Sequence, residues 1–226
     1  MGDGAFLYAS SGGSDKLVAG NQGDRLFGDA VGLYNFSTGG ADQITGGTGA
    51  DEIYGDAINM FGPAMGYDPS TAGNDVINGG GGDDSIWGDA QYMDAGFAGH
   101  DNINGGAGND SIWGDFQTFD TLPGGGTDTI NGGSGDDELW GGPADDIFVF
   151  NKSGKSGPGN DVINDFNAWG DQDKIDLTAY HFTFAKLEPL ITQNDADTTF
   201  IQLSALDTIT VLHAGTGLLS SDDFIL

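Results

Sequence analysis

The chain has 226 residues and a formal net charge of −29. Gly contributes 42 residues, whereas Lys and Arg together contribute six. So strong a negative charge makes nucleic acid and anionic membrane surfaces poor partners. No apolar run reaches the roughly 18 residues of a membrane span, and the absence of Cys excludes disulfide bonds.

The acidic residues are concentrated where basic residues are missing. Between residues 26 and 151 there are 21 acidic side chains and no Lys or Arg. Salt bridges within this stretch therefore cannot neutralise it. Either it stays unfolded, as high net charge favours, or cations from solution complete the fold. A disordered acidic linker and a metal-binding protein are the two classes that the composition leaves open.

A nine-residue repeat runs through most of the chain, with the pattern Gly-Gly-x-Gly-x-Asp-x-U-x, where U is a large aliphatic residue. It is clearest at 46–54, 79–87, 105–113 and 132–140, and it fits eight further windows more loosely. Position 6 is Asp in all twelve windows, and position 8 is Leu, Ile or Phe. A disordered linker has no reason to place an apolar residue two positions after each Asp, so the spacing favours a folded repeat.

The repeat resembles the RTX, or haemolysin-type calcium-binding, family, and the resemblance covers about residues 10–226. It implies an all-β fold: a right-handed parallel β-roll, or β-solenoid, in which six residues of each nonapeptide turn and three form a strand. It also implies several Ca²⁺ ions between turns stacked on one edge, held by position-6 carboxylates and by glycine-turn carbonyls. Ca²⁺ takes six to eight oxygen ligands, and the carbonyls of a tight turn can supply several of them.

The resemblance assigns calcium ligands to this chain residue by residue. The carboxylates are those of Asp24, Asp42, Asp51, Asp75, Asp84, Asp101, Asp110, Asp128, Asp137, Asp146 and Asp161. The turn glycines are Gly47, Gly49, Gly80, Gly82, Gly106, Gly108, Gly133 and Gly135. The position-4 Gly is expected to permit the positive φ of such turns. Gln22 and Ala144 replace it in two turns, to which the assignment carries over less well.

The spacing of the repeats predicts two unlike edges. On one edge the position-6 Asp follows a tight turn, whereas on the other the turns are lengthened by about nine residues or more. Gly-Asp pairs at 28–29, 55–56, 88–89 and 114–115 open the long turns. We expect one flush calcium edge and one edge with four protruding loops. The extra Asp of each pair would either complete a calcium site or cap the loop backbone, and both alternatives stay open.

Position 9 carries an aromatic ladder on one predicted sheet, consisting of Phe27, Tyr54, Trp87, Trp113 and Trp140. Exposed, such a row would suit a glycan or a partner protein, since large apolar patches usually bind something. The alternative is that the long loops fold back and cover the ladder. We favour this alternative because a roll holds only one row of aliphatic residues per sheet and needs further burial.

From about residue 151 the repeat pattern changes, and the stretch 145–226 resembles the end of serralysin-type proteases and other RTX proteins. Alternating runs at 198–203 and 208–212 predict antiparallel strands that close the open end of the roll, which a solenoid requires for solubility. The terminal Asp-Phe-Ile-Leu (223–226) resembles a type I secretion signal, and the N-terminus lacks the features of a Sec signal. We therefore divide the chain into a calcium-binding roll (1–150) and a last repeat with a capping and secretion segment (151–226).

No catalytic constellation is visible, because the three His residues lie far apart and neither HExxH nor GxSxG occurs. The predicted function is that of an extracellular, non-enzymatic calcium-binding protein that folds on Ca²⁺ after type I secretion. Two alternatives stay open. The chain could be the C-terminal export and folding module of a larger secreted protease, lipase or polyuronate epimerase. It could also be a calcium-dependent adhesin or glycan-binding module.

Overall fold

A computed structural model describes residues 6–8, 12–62, 69–121, 123–152, 157–195, 197–213 and 219–226. The first two residues of the repeat window at 10–18 lie outside this part. The described residues form short strands, numbered in chain order, that sort into three sheets. Helical structure is confined to α1 (Phe184–Leu187) and to 3-10 turns at Thr178–Tyr180, Glu188–Leu190 and Ser221–Asp223. None of the described helices has the length and apolarity needed to cross a membrane.

Sheet A follows the loop edge, and its neighbouring strands are all parallel. In hydrogen-bonded order its strands are β2 (Lys16–Val18), β5 (Gln43–Gly47), β8 (Val76–Gly81), β11 (Asn102–Ala107), β14 (Thr129–Ser134), β16 (Ile147–Val149), β18 (Lys174–Asp176) and β22 (Phe224–Ile225). The last strand comes from the predicted secretion tail, so in the folded chain that tail is part of a sheet.

Sheet B follows the flush edge. In hydrogen-bonded order its strands are β3 (Arg25–Phe27), β6 (Glu52–Tyr54), β9 (Ser85–Trp87), β12 (Ser111–Trp113), β15 (Glu138–Trp140), β17 (Asn160–Phe166), β21 (Thr208–His213), β20 (Thr198–Gln202) and β19 (Ile191–Gln193). Pairing is parallel as far as β21 and antiparallel from β21 to β19. The predicted parallel roll and its antiparallel closing strands are therefore confirmed.

The core of the roll is one row of aliphatic side chains from each of these sheets. Alternation along a strand points position 8 inward and position 7 outward. Ile77 is 1% exposed, for example, whereas its neighbour Val76 is 51% exposed. The same core continues through Phe148 and Phe166 into the closing strands, where Ile201 is fully buried. Residues on both sides of the predicted division at residue 150 thus belong to the same core. The division of the chain into two domains there stays a prediction.

The four long turns do not protrude as loops, which corrects that expectation. With one N-terminal strand they form sheet C, whose neighbouring strands are parallel. Its strands are β1 (Phe6–Tyr8), β4 (Gly32–Tyr34), β7 (Ala57–Phe61), β10 (Ala90–Asp94) and β13 (Phe116–Thr118). Each long turn finds its backbone partners in the turns of the coils above and below, which satisfies polar groups that the fold buries.

Sheet C has an apolar core of its own. Leu33, Met60 and Met93 are each 0% exposed, and small residues such as Ala57 and Ala90 let the long turns close against the roll. This core is separate from that of the roll. It explains why the long turns are ordered into strands: stacked in register, they bury apolar surface that a single loop would leave in water.

The aromatic ladder is covered over most of its length, as we favoured. Successive rings stack with centroids 4.6 to 5.1 Å apart. Tyr54 is 1% exposed and Trp87 is 5% exposed, and Val31 and Ile58 from the long turns pack against them. Only the C-terminal end of the ladder, at Trp113 and Trp140, is half-buried.

The separate core of sheet C predicts a large effect for a substitution within a long turn. Met93→Ala removes a fully buried side chain and should lower the free energy of unfolding at saturating calcium by about 2–5 kcal/mol. Gln91→Ala on the same strand is the matched control, because Gln91 lies on the outer face, and it should change stability by less than about 0.5 kcal/mol. Urea unfolding followed by circular dichroism measures both. Equal stability of the two variants would contradict the packing of sheet C.

Candidate calcium sites

The position-6 Asp residues stack into two rows, one on each edge. In each row, the Oδ1 of every member after the first accepts a hydrogen bond from the backbone N–H of the member one coil earlier, at 2.6 to 3.0 Å. The loop-edge row is Asp15, Asp42, Asp75, Asp101, Asp128, Asp146 and Asp173. The flush-edge row is Asp24, Asp51, Asp84, Asp110, Asp137 and Asp161. The structure thus brings all eleven predicted carboxylates into these two rows.

The second carboxylate oxygen of most of these residues has no protein partner. The Oδ2 atom is buried and accepts no hydrogen bond in Asp51, Asp75, Asp84, Asp101, Asp110, Asp128, Asp137, Asp146 and Asp161. A buried carboxylate oxygen without a partner costs several kcal/mol of desolvation. Nine such atoms in two rows therefore indicate a missing positive charge.

Backbone carbonyls line the space into which these oxygens point. A Cβ placed on Gly79 would lie 2.4 Å from Asp84 Oδ2 and 2.5 Å from the carbonyl oxygen of Gly105 in the next coil. A Cβ on Gly80 would lie 2.2 Å from the carbonyl oxygen of Gly47, and one on Gly82 would lie 2.4 Å from that of Gly49. Only Gly fits where the turns approach so closely, and the approach collects oxygen atoms between successive coils.

The donor set suits calcium and no softer metal. Among the described residues, no three His, Cys, Asp or Glu side chains converge as a metal-binding group. Any ion in these rows would therefore be held by one or two carboxylates and otherwise by carbonyls or water. Ca²⁺ accepts such an oxygen shell at 2.3–2.6 Å in flexible geometry, whereas Zn²⁺ prefers nitrogen and sulfur ligands. The residues present fit the ion that the repeat implies.

Comparison with known families agrees with this geometry. The profile of the RTX calcium-binding nonapeptide repeat matches the chain in four copies, at residues 36–57, 70–92, 96–117 and 123–152. The chain is an RTX calcium-binding repeat protein. No curated protein matches it. RTX repeats are a calcium-binding structural module, without catalytic groups of their own, and they typically occur in secreted proteins.

The RTX turns differ between the two edges, which corrects the expectation for position 4. In the flush-edge turns that begin at residues 79, 105 and 132, positions 2 and 4 adopt positive φ, as at Gly80 (105°) and Gly82 (116°), whereas in the turn that begins at residue 46 only position 2 does. On the loop edge, the position-4 residues Gly73 and Gly99 do not. Gly is required there by close approach, because a Cβ on Gly73 would lie 1.6 Å from the carbonyl oxygen of Gly40. The inserted strand of sheet C changes the path of the chain before position 4.

The two turns that lack the position-4 Gly behave differently from each other. Ala144 takes the positive φ of the missing Gly, 108°, a conformation that an L-residue with a Cβ rarely adopts. Gln22 is not among the described residues with positive φ. The Asp that follows each substitution, Asp24 or Asp146, nevertheless lies in its row.

Asp173 is a member of the loop-edge row that the repeat did not predict. Its Oδ1 accepts the backbone N–H of Asp146 at 3.0 Å, and Asp173 is 1% exposed. The glycine pattern is absent before it, so the nonapeptide frame passes over it. The signal in the sequence is the apolar Ile175 two residues later, which is the spacing from position 6 to position 8.

Burial raises the pKa of several of the stacked carboxyls. On the flush edge it raises the pKa of Asp84 to about 6, of Asp110 to about 7 and of Asp161 to about 8. On the loop edge burial raises the pKa of Asp75 to about 8 and that of Asp146 to about 10. Hydrogen bonds from the backbone oppose the shift in each case. In the metal-free fold these carboxyls therefore hold protons that the unfolded chain would release.

The raised pKa values predict how the metal-free RTX chain responds to pH. Because the folded state binds more protons than the unfolded state, its stability is greatest near pH 4 and falls as pH rises through about 6 to 8. We expect the metal-stripped protein to show a thermal unfolding transition at pH 5 and to lose it as the pH rises to 8. At saturating calcium the fall should be absent, since the ions take the place of the protons. A metal-stripped protein that is more stable at pH 8 than at pH 5 would contradict this account.

Proposed function

We propose that this chain is an extracellular RTX protein, or a module of one, that folds when it binds several Ca²⁺ ions after type I secretion. The observation that carries the proposal is the set of nine buried Oδ2 atoms without a hydrogen-bond partner in the two Asp rows, most of them in a stretch that has no Lys or Arg. The proposed ligands are the eleven position-6 carboxylates and eight turn glycines named from the sequence. Asp173 is left out because both of its carboxylate oxygens accept backbone N–H groups, from Asp146 and Asn167. The proposed role is non-enzymatic.

Coupled folding follows from the position of the sites. Without metal, the ionised carboxylates repel one another and oppose stacking of the coils. An ion between two turns would neutralise carboxylates and join one coil to the next, so binding free energy becomes folding free energy. Each independent site stabilises the roll by RT ln(1 + [L]/Kd). Because each coil stacks only on its neighbours, folding should be steep in calcium concentration.

The tail supports secretion before folding. In the folded chain β22 pairs with β18, and Phe224 is buried. A signal of the type I kind at 223–226 would thus be accessible only while the chain is unfolded. Low calcium inside the cell and higher calcium outside would keep the chain in that state until export. A C-terminal module of a larger secreted enzyme could be exported and folded in the same way. The proposal therefore includes the alternative that this chain is such an export module.

Exchange of a single carboxylate tests the proposal. Asp84→Asn keeps the Oδ1 acceptor for the Asp51 N–H but removes the charge from the middle of the flush row, so the calcium midpoint of folding should rise several-fold. Asp83→Asn is the matched control, because Asp83 is exposed and other repeats have Asn at that position. Far-UV circular dichroism during calcium titration measures both, and magnesium should not substitute, since it demands a tighter octahedral shell. A wild-type chain already folded without calcium at neutral pH would refute the proposal.

One surface favours glycan binding as a second candidate function. At the open end of the ladder, Trp113, Trp140, Trp169 and Phe119 line a groove of about 330 Å³. Trp169 is 45% exposed, and the Nδ2 of Asn164 in the groove is buried without a partner. Aromatic faces beside a free amide donor are the combination that binds sugar rings. The buried part of the ladder, including Trp87, is not available for this role.

A glycan array in calcium tests this candidate. Trp169→Ala should abolish binding while leaving the calcium midpoint of folding unchanged, because the side chain lies largely outside the core. Phe200→Ala removes an aromatic ring of similar exposure, 38%, from the closing strands and should leave binding intact. Binding that survives Trp169→Ala would exclude the groove as the glycan site.

A further inference from the structure

The Gly-Asp pairs place a third row of carboxylates inside the loop edge. Its members are Asp29, Asp56, Asp89 and Asp115, each 0% exposed. Each accepts a hydrogen bond from the backbone N–H of the position-4 Gly that ends its long turn, at 2.7 to 3.0 Å. The capping role considered from the sequence therefore exists. In Asp56 and Asp115 one oxygen atom performs it, whereas in Asp89 both oxygen atoms contact the Gly99 N–H.

Capping does not explain why the side chain is an acid. The Oδ1 of Asp56 and the Oδ2 of Asp115 are buried and accept no hydrogen bond. An uncharged Asn would accept the same glycine N–H without placing a charge in the interior. Burying an ionised carboxylate costs several kcal/mol unless a positive charge accompanies it, and the sequence offers no Lys or Arg between residues 26 and 151.

Three of these carboxylates interact with the charge of the position-6 carboxylate at the other end of their own long turn. The pairs are Asp56 with Asp75, Asp89 with Asp101, and Asp115 with Asp128. In each pair, burial first and then the charge of the partner raise the pKa of the Gly-Asp carboxyl well above its usual value. The Oδ2 atoms of all three position-6 partners are also buried and unpartnered. Two acids thus share one dehydrated space.

A carbonyl of the preceding coil completes this space. A Cβ on Gly99 would lie 1.5 Å from the carbonyl oxygen of Gly73 and 3.0 Å from Asp89 Oδ1. A Cβ on Gly126 would lie 1.4 Å from the carbonyl oxygen of Gly99 and 3.1 Å from Asp115 Oδ1. Carboxylate and carbonyl oxygens therefore converge at every long turn, and the arrangement repeats from coil to coil.

The flush edge has no counterpart to this second acid. There position 2 of the repeat is Gly in a left-handed conformation, as at Gly80 and Gly106. On the loop edge the Asp of the Gly-Asp pair occupies the same place in the repeat, directly after the position-1 Gly. The flush edge therefore offers one carboxylate per turn, whereas each long turn of the loop edge offers two.

We propose that the loop edge is a separate class of calcium sites, in which Asp56, Asp89 and Asp115 are direct ligands beside the position-6 carboxylates. This proposal rests on the proposed function of calcium binding. It adds which of the two edges binds calcium more tightly. Calcium affinity increases with the charge of the ligand set, so the loop-edge sites bind more tightly and fill first. Filling them joins each long turn to its neighbour and so stacks sheet C before the flush edge is complete.

Removal of the charge from one Gly-Asp carboxylate distinguishes a calcium ligand from a residue that only caps the backbone. Asp56→Asn keeps an oxygen for the Gly73 N–H but loses the second carboxylate, and we expect the tightest class of calcium sites to weaken on the order of tenfold or more in isothermal titration. Asp115→Asn should behave alike, and Asp83→Asn, an exposed acid, should not. If the Asp is only a cap, both buried variants will keep the wild-type affinity and will be more stable without metal, since a buried charge is gone.

A second measurement uses the wild-type protein, so it is possible even if the variants do not fold. Crystals grown in calcium should show ions about 2.3–2.6 Å from the oxygens of Asp56, Asp89 and Asp115. Ions on both edges but out of reach of these oxygens would overturn this inference alone. No ion on either edge, together with no calcium binding in solution, would overturn the proposed function itself.

Discussion

Repulsion among stacked carboxylates is the constraint on which the rest of this structure depends. Each coil places Asp side chains directly over those of the next. The backbone N–H of one Asp donates to the carboxylate of the Asp in the next coil, and this bond does not neutralise the negative charge of that carboxylate. A core of one apolar row per sheet is thin, and no basic side chain lies in the acidic stretch to offset the charge. The folded state therefore needs protons or cations, and at neutral pH the oxygen-rich turns favour calcium.

The same Asp rows set the register of the whole solenoid. The coil from Asp42 to Asp75 has 33 residues and the next, to Asp101, has 26, yet both carry the same 2.7 Å contact. Only the coil from Asp128 to Asp146, with 18 residues, consists of two plain nonapeptides. Extra residues are thus inserted between fixed points. Because the insertions enter at the same place in each coil, they stack on one another and form sheet C.

Closure of the roll depends on the same continuity. The apolar row runs from Leu17 through Phe148 to Phe224, so the closing strands extend the core and do not merely cover it. The sheet ends with the antiparallel strands β21 to β19. Side chains of these strands such as Phe200 and Gln202 are exposed to solvent. The C-terminal residues Phe224 and Ile225 pair as β22 with β18, so in the folded chain this end of the sequence is part of sheet A.

The periodic features of this protein could be predicted from its sequence, and the features that join separate coils could not. The nine-residue period places Asp84 on an edge and Ile86 in the core, and the missing basic residues imply a cation, because both depend only on local spacing and composition. The sequence left open whether Asp56 completes a site, and it passed over Asp173. Sheet C, the cover over Trp87 and the two kinds of turn arise only when coils stack, since their hydrogen bonds and buried surface join residues some 26 to 33 positions apart.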